Sequence, residues 1–284
     1  MANKNLTNAK RAKNDEFYTQ YPDIEKEVTA YIEYNPSAFR GKVVYCNCDD
    51  PFESNFFRYF VLNFNKLGLK QLITTSYKPS PVANTLLDLI DYGKTPDKAK
   101  GRPKITANKF IINEVHDIDG DGEFNLKDVA KQLKANKHNE WTPLEGEGDF
   151  RSDECINLLK QSDIIVTNPP FSLFREYVKQ LFDYNKKFVI IGNKNSVTYK
   201  EIFPLIKDNK MWSGKTEWSG GLWFVTMDDD DVDRVIDGVN MKNVSSVWFT
   251  NLDHGRRHQP LPLMTMEENL KYSKHKEIKG KKAY

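Results

Sequence analysis

Short apolar runs separated by amphipathic segments set the pattern of this chain. The runs are rich in β-branched residues, which is typical of strands buried on both faces of a parallel sheet. They are Lys42–Cys46, Lys70–Thr75, Asp163–Thr167 and Lys187–Gly192. Apolar residues at helical spacing follow the third run over residues 172–185. This alternation predicts an α/β fold built on an open, mostly parallel sheet.

Further elements are predicted on either side of these runs. We expect helices over 24–32, 56–64 and 201–206, and strands over 222–226 and 244–250 that form an antiparallel pair at the end of the sheet. The stretch 77–147 is longer than a simple crossover requires, so we interpret it as an elaboration of the same domain. Within it we predict helices over 82–92 and 129–133 and a strand over 109–113. The tryptophans at positions 212, 218, 223 and 248 are expected in the core.

The tetrapeptide Asn168-Pro169-Pro170-Phe171 lies where a buried strand turns into a helix. In open α/β sheets this is the edge at which ligands bind. The Asn168 side-chain oxygen and the Pro169 carbonyl are two acceptors suited to the N–H bonds of a nucleobase amino group, whose lone pair they would expose. The prolines fix φ and supply no competing N–H, and Phe171 offers a face on which a base can stack. The structural alternative is an Asn-Pro turn before a helix, with Phe171 in the core.

Asn-Pro-Pro-Phe after a hydrophobic strand resembles the catalytic motif of amino-methyltransferases that use S-adenosylmethionine. The longer pattern of 148–152 followed by 163–174 resembles the EcoRI-type adenine-specific DNA methyltransferase family in particular, and the similarity extends from Asp15 to Pro262. The resemblance implies a Rossmann-like S-adenosylmethionine-dependent methyltransferase fold with a mostly parallel sheet, a terminal antiparallel strand and an inserted subregion.

The resemblance also implies a function, namely adenine-N6 methylation of double-stranded DNA with S-adenosylmethionine as cofactor. Such an enzyme is the modification component of a restriction-modification system, with a cognate restriction endonuclease as partner, or an orphan or phage-encoded enzyme. Two alternatives stay open. One is methylation of another planar amino group, in cytosine N4, RNA or a protein glutamine. The other is a non-catalytic DNA-binding relative, although the intact tetrapeptide favours an active enzyme.

Three segments match cofactor-binding segments of the resembled family. They supply Phe17, Tyr18 and Thr19 before the first strand, Asn47, Asp49 and Asp50 after it, and Asp149 and Phe150 before the catalytic strand. The turn after the first strand lacks the usual glycines, but a sulfonium cofactor has no pyrophosphate to cradle, and a carboxylate facing its positive groups would serve. Edge packing of aromatics, a solvated acidic turn and a glycine-flanked turn with a buried Phe are the respective structural alternatives.

The composition indicates the cellular location and the kinds of partner to expect. Hydrophobic content of 39% is ordinary for a globular protein, no apolar run reaches membrane-spanning length, and we expect a cytoplasmic location. Cys46, Cys48 and Cys155 fit a reducing compartment, without a zinc-binding spacing. The net charge of +2 is too small to indicate nucleic-acid binding by itself. The basic loop Arg256-Arg257-His258 is the segment we expect to contact DNA.

The chain is predicted to have a flexible N-terminal arm over 1–14, a catalytic domain over 15–262 and a charged tail over 263–284. We expect that tail to begin a missing C-terminal part. One motif inside the elaboration has the spacing of a calcium-binding loop. Its oxygen-bearing side chains are those of Asp117, Asp119, Asp121, Asn125 and Asp128. An acidic Asp/Gly turn without metal is the alternative interpretation.

Overall fold

The computed structural model of this protein describes residues 18–48, 54–77, 107–118, 120, 124–135, 138–226, 232–260 and 263–272. Its strands are β1 Tyr18–Thr19, β2 Val43–Asn47, β3 Gln71–Thr75, β4 Asn108–Ile112, β5 Glu140–Pro143, β6 Ile164–Thr167, β7 Lys187–Asn193, β8 Trp212–Ser213, β9 Leu222–Val225, β10 Arg234–Ile236, β11 Val239–Val244 and β12 Ser246–Thr250. Its helices are α1 Tyr21–Tyr34, α2 Asn55–Leu62, α3 Phe64–Leu67, α4 Leu126–Ala135, α5 Asp153–Gln161, α6 Phe174–Asp183, α7 Phe203–Lys207 and α8 Met266–Tyr272.

An eight-stranded sheet in the order β5-β4-β3-β2-β6-β7-β12-β8 forms the centre of the fold. The four strands in its middle, β3, β2, β6 and β7, are parallel, and they are the four strands predicted from apolar runs. All five residues of β2 and all four of β6 are buried, because helices cover both faces of the sheet. The prediction of a mostly parallel α/β sheet is confirmed.

Two layers of helices bury the two faces of this sheet. Residues of α1 and α2, such as Val28 and Phe60, share one core cluster with Val44 on β2. Residues of α5 and α6 form a second cluster with Tyr45 and Ile165 on the opposite face. Ser152 begins α5 by accepting a hydrogen bond from the Cys155 amide at 3.3 Å, as a capping serine does.

The antiparallel part of the fold differs from the prediction. Strand β4 pairs antiparallel with β3 and with β5, so the elaboration adds two strands to one side of the sheet. On the other side β12 pairs antiparallel with β7 and β8. The predicted strand over 244–250 is divided at Ser245, and β9 pairs with β11 and β1 in a separate four-stranded sheet. The expectation that 222–226 and 244–250 form one antiparallel pair ending the main sheet is therefore wrong.

The tryptophans are not all in the core. Trp248 is completely buried, whereas Trp218 is 41% exposed. Trp212 and Trp223 lie half-buried. The predicted helix over 82–92 lies outside the described residues. No helix among the residues that the structure describes combines the length and apolar character needed to cross a membrane.

The order of the central strands fixes the position of the candidate site. From β2 the chain moves to β3 on one side, while β6 lies on the other side of β2. The crevice outside the carboxyl ends of β2 and β6 is thus the topological switch point of the sheet, where open α/β folds bind ligands. Asn47 ends β2, and Asn168 directly follows β6.

Candidate active site at the carboxyl edge of the sheet

The turn after β6 is a short, rigid connection. Pro169 is buried, while Asn168, Pro170 and Phe171 are half-buried, and a single 3-10 turn over Phe171–Leu173 leads into α6. The Pro170 carbonyl accepts a hydrogen bond from the Leu173 amide at 2.9 Å, so this carbonyl is engaged in the turn itself. Phe171 packs partly against the core cluster that contains Val44 and retains partial exposure. The geometry thus combines features of both interpretations of Phe171.

The ends of β2 and β6 are tied together by hydrogen bonds. The Thr167 hydroxyl donates to the Asn47 carbonyl, and the Tyr177 hydroxyl on α6 donates to the Asn47 side-chain oxygen. Asn47 and Tyr177 are both buried. Strands β2 and β6, which the sequence analysis associates with the cofactor and with catalysis, are therefore held in one fixed arrangement, with α6 as the third member.

The turn after β2 has the backbone conformation that glycine usually supplies. Cys48 follows Asn47 with φ of 63°, in the left-handed region that few non-glycine residues adopt. A cysteine therefore adopts the left-handed conformation here, where a glycine-rich loop would place a glycine. Asp49 and Asp50 lie outside the described residues, and their contact with a cofactor stays a prediction.

The loop over 148–150 closes against the end of the neighbouring strand. Gly148 has φ of +77°, and a Cβ atom there would collide with the Ser76 carbonyl just beyond β3. Phe150 is buried, with its ring 5.0 Å from that of Tyr177, and its carbonyl accepts from the Gln180 side chain at 3.1 Å. This burial is what the structural alternative describes. The predicted role of Phe150 beside a cofactor adenine stays untested.

Asp149 in this loop is a well-fixed carboxylate. Arg151 donates to its two oxygens, from Nε at 2.9 Å and from Nη2 at 2.7 Å. These bonds hold the pKa of Asp149 below its usual range. Oδ1 also accepts from the Arg151 amide at 2.8 Å, so the capacity to accept from an amino group remains on Oδ2, which receives one of these bonds.

Thr19 lies close to the same edge through its contact with α2. Asn55, the first residue of α2, donates from its side chain to the Thr19 carbonyl at 2.8 Å. The Thr19 hydroxyl is buried and has no hydrogen-bond partner among the described residues, and the same holds for the Thr74 hydroxyl in β3. Phe17 and the side chain of Tyr18 lie outside the part of the chain that the structure describes.

The basic loop is not part of this arrangement. Because β12 runs antiparallel to β7, the segment Arg256–His258 lies at the amino-terminal edge of the parallel strands, opposite Asn168. Arg257 stacks on the Trp212 ring at 3.7 Å, and His258 stacks on Tyr34 with ring centroids 5.4 Å apart. The structure thus does not bring these residues to the catalytic turn, and their contact with DNA stays a prediction.

The predicted calcium loop has a different use in the structure. The buried Asp128 carboxylate accepts from the amides of Ile118 at 3.1 Å and Asn125 at 2.9 Å, and Asp117 accepts from the Gly120 amide at 2.7 Å. Asp119 and Asp121 lie outside the described residues. Within the described residues no group of three or more His, Cys, Asp or Glu side chains is placed to hold a metal ion. These contacts are those of an Asp/Gly turn preceding α4, and calcium binding is not supported.

Two polar contacts of the site were missed by the sequence interpretation. Thr167 and Tyr177 were assigned only to a strand and to the apolar face of a helix. Tyr177 carried a signal, since a hydroxyl on a fully buried helix face needs a hydrogen-bond partner. That partner, Asn47, lies 130 residues away in the sequence, so only the folded structure identifies it.

Comparison with known proteins gives relatives along nearly the whole chain. The family model described as Adenine-specific methyltransferase EcoRI matches residues 5–282. Type II methyltransferase M.EcoRI of Escherichia coli is 43% identical over 272 residues, which cover 92% of this chain and 72% of that protein. Type II methyltransferase M.MpnI of Mycoplasma pneumoniae is 37% identical over 264 residues, covering 90% of this chain and 66% of that protein.

A third relative is Type II methyltransferase M.MgeORF184P of Mycoplasma genitalium. It is 38% identical over 208 residues, covering 73% of this chain and 50% of that protein. The chain therefore spans between half and three quarters of the length of these three relatives. No solved structure matches the chain.

Proposed function

Because the chain belongs to the EcoRI family of adenine-specific methyltransferases, we propose that it methylates the N6 amino group of adenine in double-stranded DNA. The observation that carries the proposal is the position of the Asn168–Phe171 turn. It follows β6 at the switch point of the sheet, beside the end of β2 to which Thr167 and Tyr177 tie it. We further propose that the enzyme is the modification component of a type II restriction-modification system, with a cognate endonuclease as partner.

The turn acts on the target base. An adenine inside a duplex is out of reach of these side chains, so the target nucleotide leaves the stack. The Asn168 side-chain oxygen and the Pro169 carbonyl accept the two amino hydrogens and orient the nitrogen lone pair away from them. The Pro170 carbonyl is already used within the turn, which leaves that of Pro169 as the main-chain acceptor. Phe171 stacks against the extruded base, which stabilises it by roughly 1–3 kcal/mol.

Residues near this turn are suited to hold a cofactor with several polar groups. Two buried hydroxyls, of Thr19 and Thr74, have no hydrogen-bond partner among the described residues, and a buried polar group normally requires one. Asp149 supplies a fixed negative charge nearby. S-adenosylmethionine bound there would supply an electrophilic methyl group to the adenine nitrogen; its S–CH3 bond would break, S-adenosylhomocysteine would be the leaving group, and an amino proton would pass to water. Asn47, Thr19 and Asp149 are the described residues that we propose hold it, together with the predicted Phe17, Tyr18, Asp49, Asp50 and Phe150.

This chemistry requires placement rather than covalent catalysis. The proline pair and the 3-10 turn hold the two acceptors in a fixed position, and the bond from Tyr177 to Asn47 fixes the cofactor strand relative to them. Preorganised dipoles and proximity together are sufficient for large rate enhancements. The amino-terminal edge of the sheet, with the Arg256–His258 loop, has no part in this step.

Analysis of the methylated product tests the proposal directly. The purified chain is incubated with duplex DNA and S-adenosylmethionine labelled in the methyl group, and the DNA is digested to nucleosides for mass spectrometry. We expect the label in N6-methyl-2′-deoxyadenosine and in no other nucleoside. Label in N4-methylcytosine, or incorporation into protein instead of DNA, would show that a different amino group is the substrate.

A further inference from the structure

The loop from Gly214 to Gly221, between β8 and β9, is firmly anchored where it begins. Glu27 on α1 is completely buried, and its carboxylate accepts hydrogen bonds from the amides of Lys215 at 2.8 Å and Thr216 at 3.0 Å. The Thr216 hydroxyl and the Tyr31 hydroxyl also donate to it, at 2.9 and 2.7 Å. Such charge-assisted bonds in a buried setting hold the first residues of the loop in one conformation.

The same loop is fixed where it ends. The Gly220 carbonyl accepts from the Asn243 side chain at 2.7 Å. Gly221 has φ of +71° and lies so close to the Val244 carbonyl that a Cβ atom would not fit. Residues 217–219 lie on the surface between these two anchors, where Glu217 is 4.0 Å from the Arg256 guanidinium.

Trp218 occupies the middle of this anchored loop and is 41% exposed. Its ring meets Phe249 edge-on at 6.5 Å, and Phe249 in turn lies 5.3 Å from Phe174, the first residue of α6. A single side chain therefore separates the indole of Trp218 from the helix that begins at the catalytic turn. Trp218 thus presents part of a large aromatic face to solvent from an anchored loop near the candidate active site.

A cation contacts the main chain of Trp218. Lys194 directly follows β7, the strand next to the catalytic strand β6, and its ammonium group donates to the Trp218 carbonyl. The Lys194 amide donates to the Ser245 carbonyl at 3.0 Å, which places the residue at the carboxyl edge of the sheet. An ammonium group has three donors, so Lys194 can bind a phosphate oxygen while it holds the loop.

We propose that Trp218 and Lys194 bind a nucleotide flanking the target adenine, with its base stacked on the indole and its phosphate facing the ammonium group. An aromatic face next to a cation at the edge of a cleft is the usual means of holding an unstacked nucleotide without reading its sequence. The proposal rests on the proposed function, since it assigns the strand that enters the same active site. In this proposal Trp218 positions the DNA substrate and does not contribute to cofactor binding.

Steady-state kinetics and fluorescence on the whole chain test this assignment. For Trp218→Ala we expect the KM for DNA to rise about 10-fold or more, while kcat changes less than 3-fold, because roughly this fold-change corresponds to the loss of one stacking contact. Trp218→Phe, which keeps an aromatic face, should recover most of the affinity. Binding of S-adenosylmethionine by both variants should match that of the parent.

Fluorescence separates this assignment from the proposed reaction, because it needs no turnover. DNA should quench the tryptophan emission of the parent and of the control Trp223→Phe, whose ring lies below Arg234 in the second sheet. The quenching should be largely lost in Trp218→Phe. Equal quenching in Trp218→Phe and the parent, or an unchanged KM for Trp218→Ala, would overturn the assignment even if adenine methylation is established.

The phosphate contact has its own measurement. Lys194→Ala should lower the slope of log Kd for DNA against log salt concentration by about one unit, the change expected for one lost phosphate contact. Lys207→Ala, an exposed lysine at the far end of α7, is the matched control and should leave the slope unchanged. Identical slopes for Lys194→Ala and the parent would contradict the part of the proposal that concerns Lys194.

Discussion

Asn47 shows how single side chains connect the two halves of the candidate site. It is buried at the end of β2, its carbonyl accepts from Thr167, and its side-chain oxygen accepts from Tyr177. Thr167 lies one residue before the catalytic tetrapeptide, and Tyr177 lies on the helix that follows it. Two hydroxyl groups thus add to the pairing of β2 with β6 in fixing the tetrapeptide relative to the end of β2.

Removal of one hydroxyl tests this connection. Tyr177→Phe leaves the buried Asn47 side-chain oxygen without the Tyr177 donor, and we expect the free energy of unfolding to fall by about 1–3 kcal/mol. The affinity for S-adenosylmethionine should fall as well, since Asn47 loses a contact that orients its amide. Denaturant unfolding and calorimetry measure the two effects.

Tyr184→Phe is the matched control for this experiment. Tyr184 follows the same helix and is half-buried, with the Lys160 ammonium 5.7 Å from its ring centroid. Loss of its hydroxyl should alter neither stability nor cofactor affinity by a measurable amount. Equal effects of the two substitutions would mean that the Tyr177 bond has no special role.

For single residues, the sequence predicts which side chains suit the reaction better than it predicts which residues they contact. The Asn168–Phe171 tetrapeptide stands out because its residue types suit a nucleobase amino group and because an apolar run precedes it. The bonds to Asn47 join residues 120 and 130 positions apart, and no local pattern encodes such a pairing. The surface position of Arg256–His258 illustrates the same limit, since a basic loop contains no information about which edge of the sheet it occupies.

Gly192 shows how a strand positions the helix that follows the catalytic turn. It lies in β7, and a Cβ atom there would meet the ring of Phe174 well inside van der Waals contact. Phe174 is the first residue of α6 and is buried. The close approach of this ring to the strand sets how near the helix, and the turn before it, lie to the sheet.

A methyl group at this position should displace the turn. For Gly192→Ala we expect a loss of about 1–3 kcal/mol in unfolding free energy from overpacking, and a lower kcat with cofactor affinity nearly unchanged. The double variant Gly192→Ala/Phe174→Leu should regain part of the activity. Gly146→Ala, where no atom lies within 4 Å of the added methyl group, is the control. An unchanged kcat in Gly192→Ala would show that the distance of α6 from the sheet does not affect catalysis.

Elements were predictable to the extent that their burial is uniform. The four central strands are continuous apolar runs, so their sequences predict both that a strand forms and that it is buried. The segment over 244–250 is also apolar, yet the chain passes at Ser245 from the second sheet to the first. A change of pairing partner leaves no trace in hydrophobicity, so the second sheet was not foreseen.

On the scale of the whole molecule, the two edges of the main sheet differ in what they present. The carboxyl edge holds the turn after β6, the end of β2 and the loop over 148–150, together with Lys194 beyond β7. The amino-terminal edge holds the Arg256–His258 loop. Arg257 and His258 contact Trp212, Tyr34 and Asp253, while Arg256 donates to the Lys215 carbonyl. We infer that cofactor and target base approach one edge, from neighbouring strands β2 and β6.

The central claim is that β2 positions the cofactor and β6 positions the target base, and one substitution tests it. Asn168→Ala should lower single-turnover methyl transfer to DNA by about 100-fold or more, the cost typical of losing one preorganised dipole, while calorimetry shows a nearly unchanged affinity for S-adenosylmethionine. Asn157→Ala, an exposed asparagine on α5, is the matched control and should retain activity. Methyl transfer by Asn168→Ala at the rate of the parent, with both variants folded, would contradict the account.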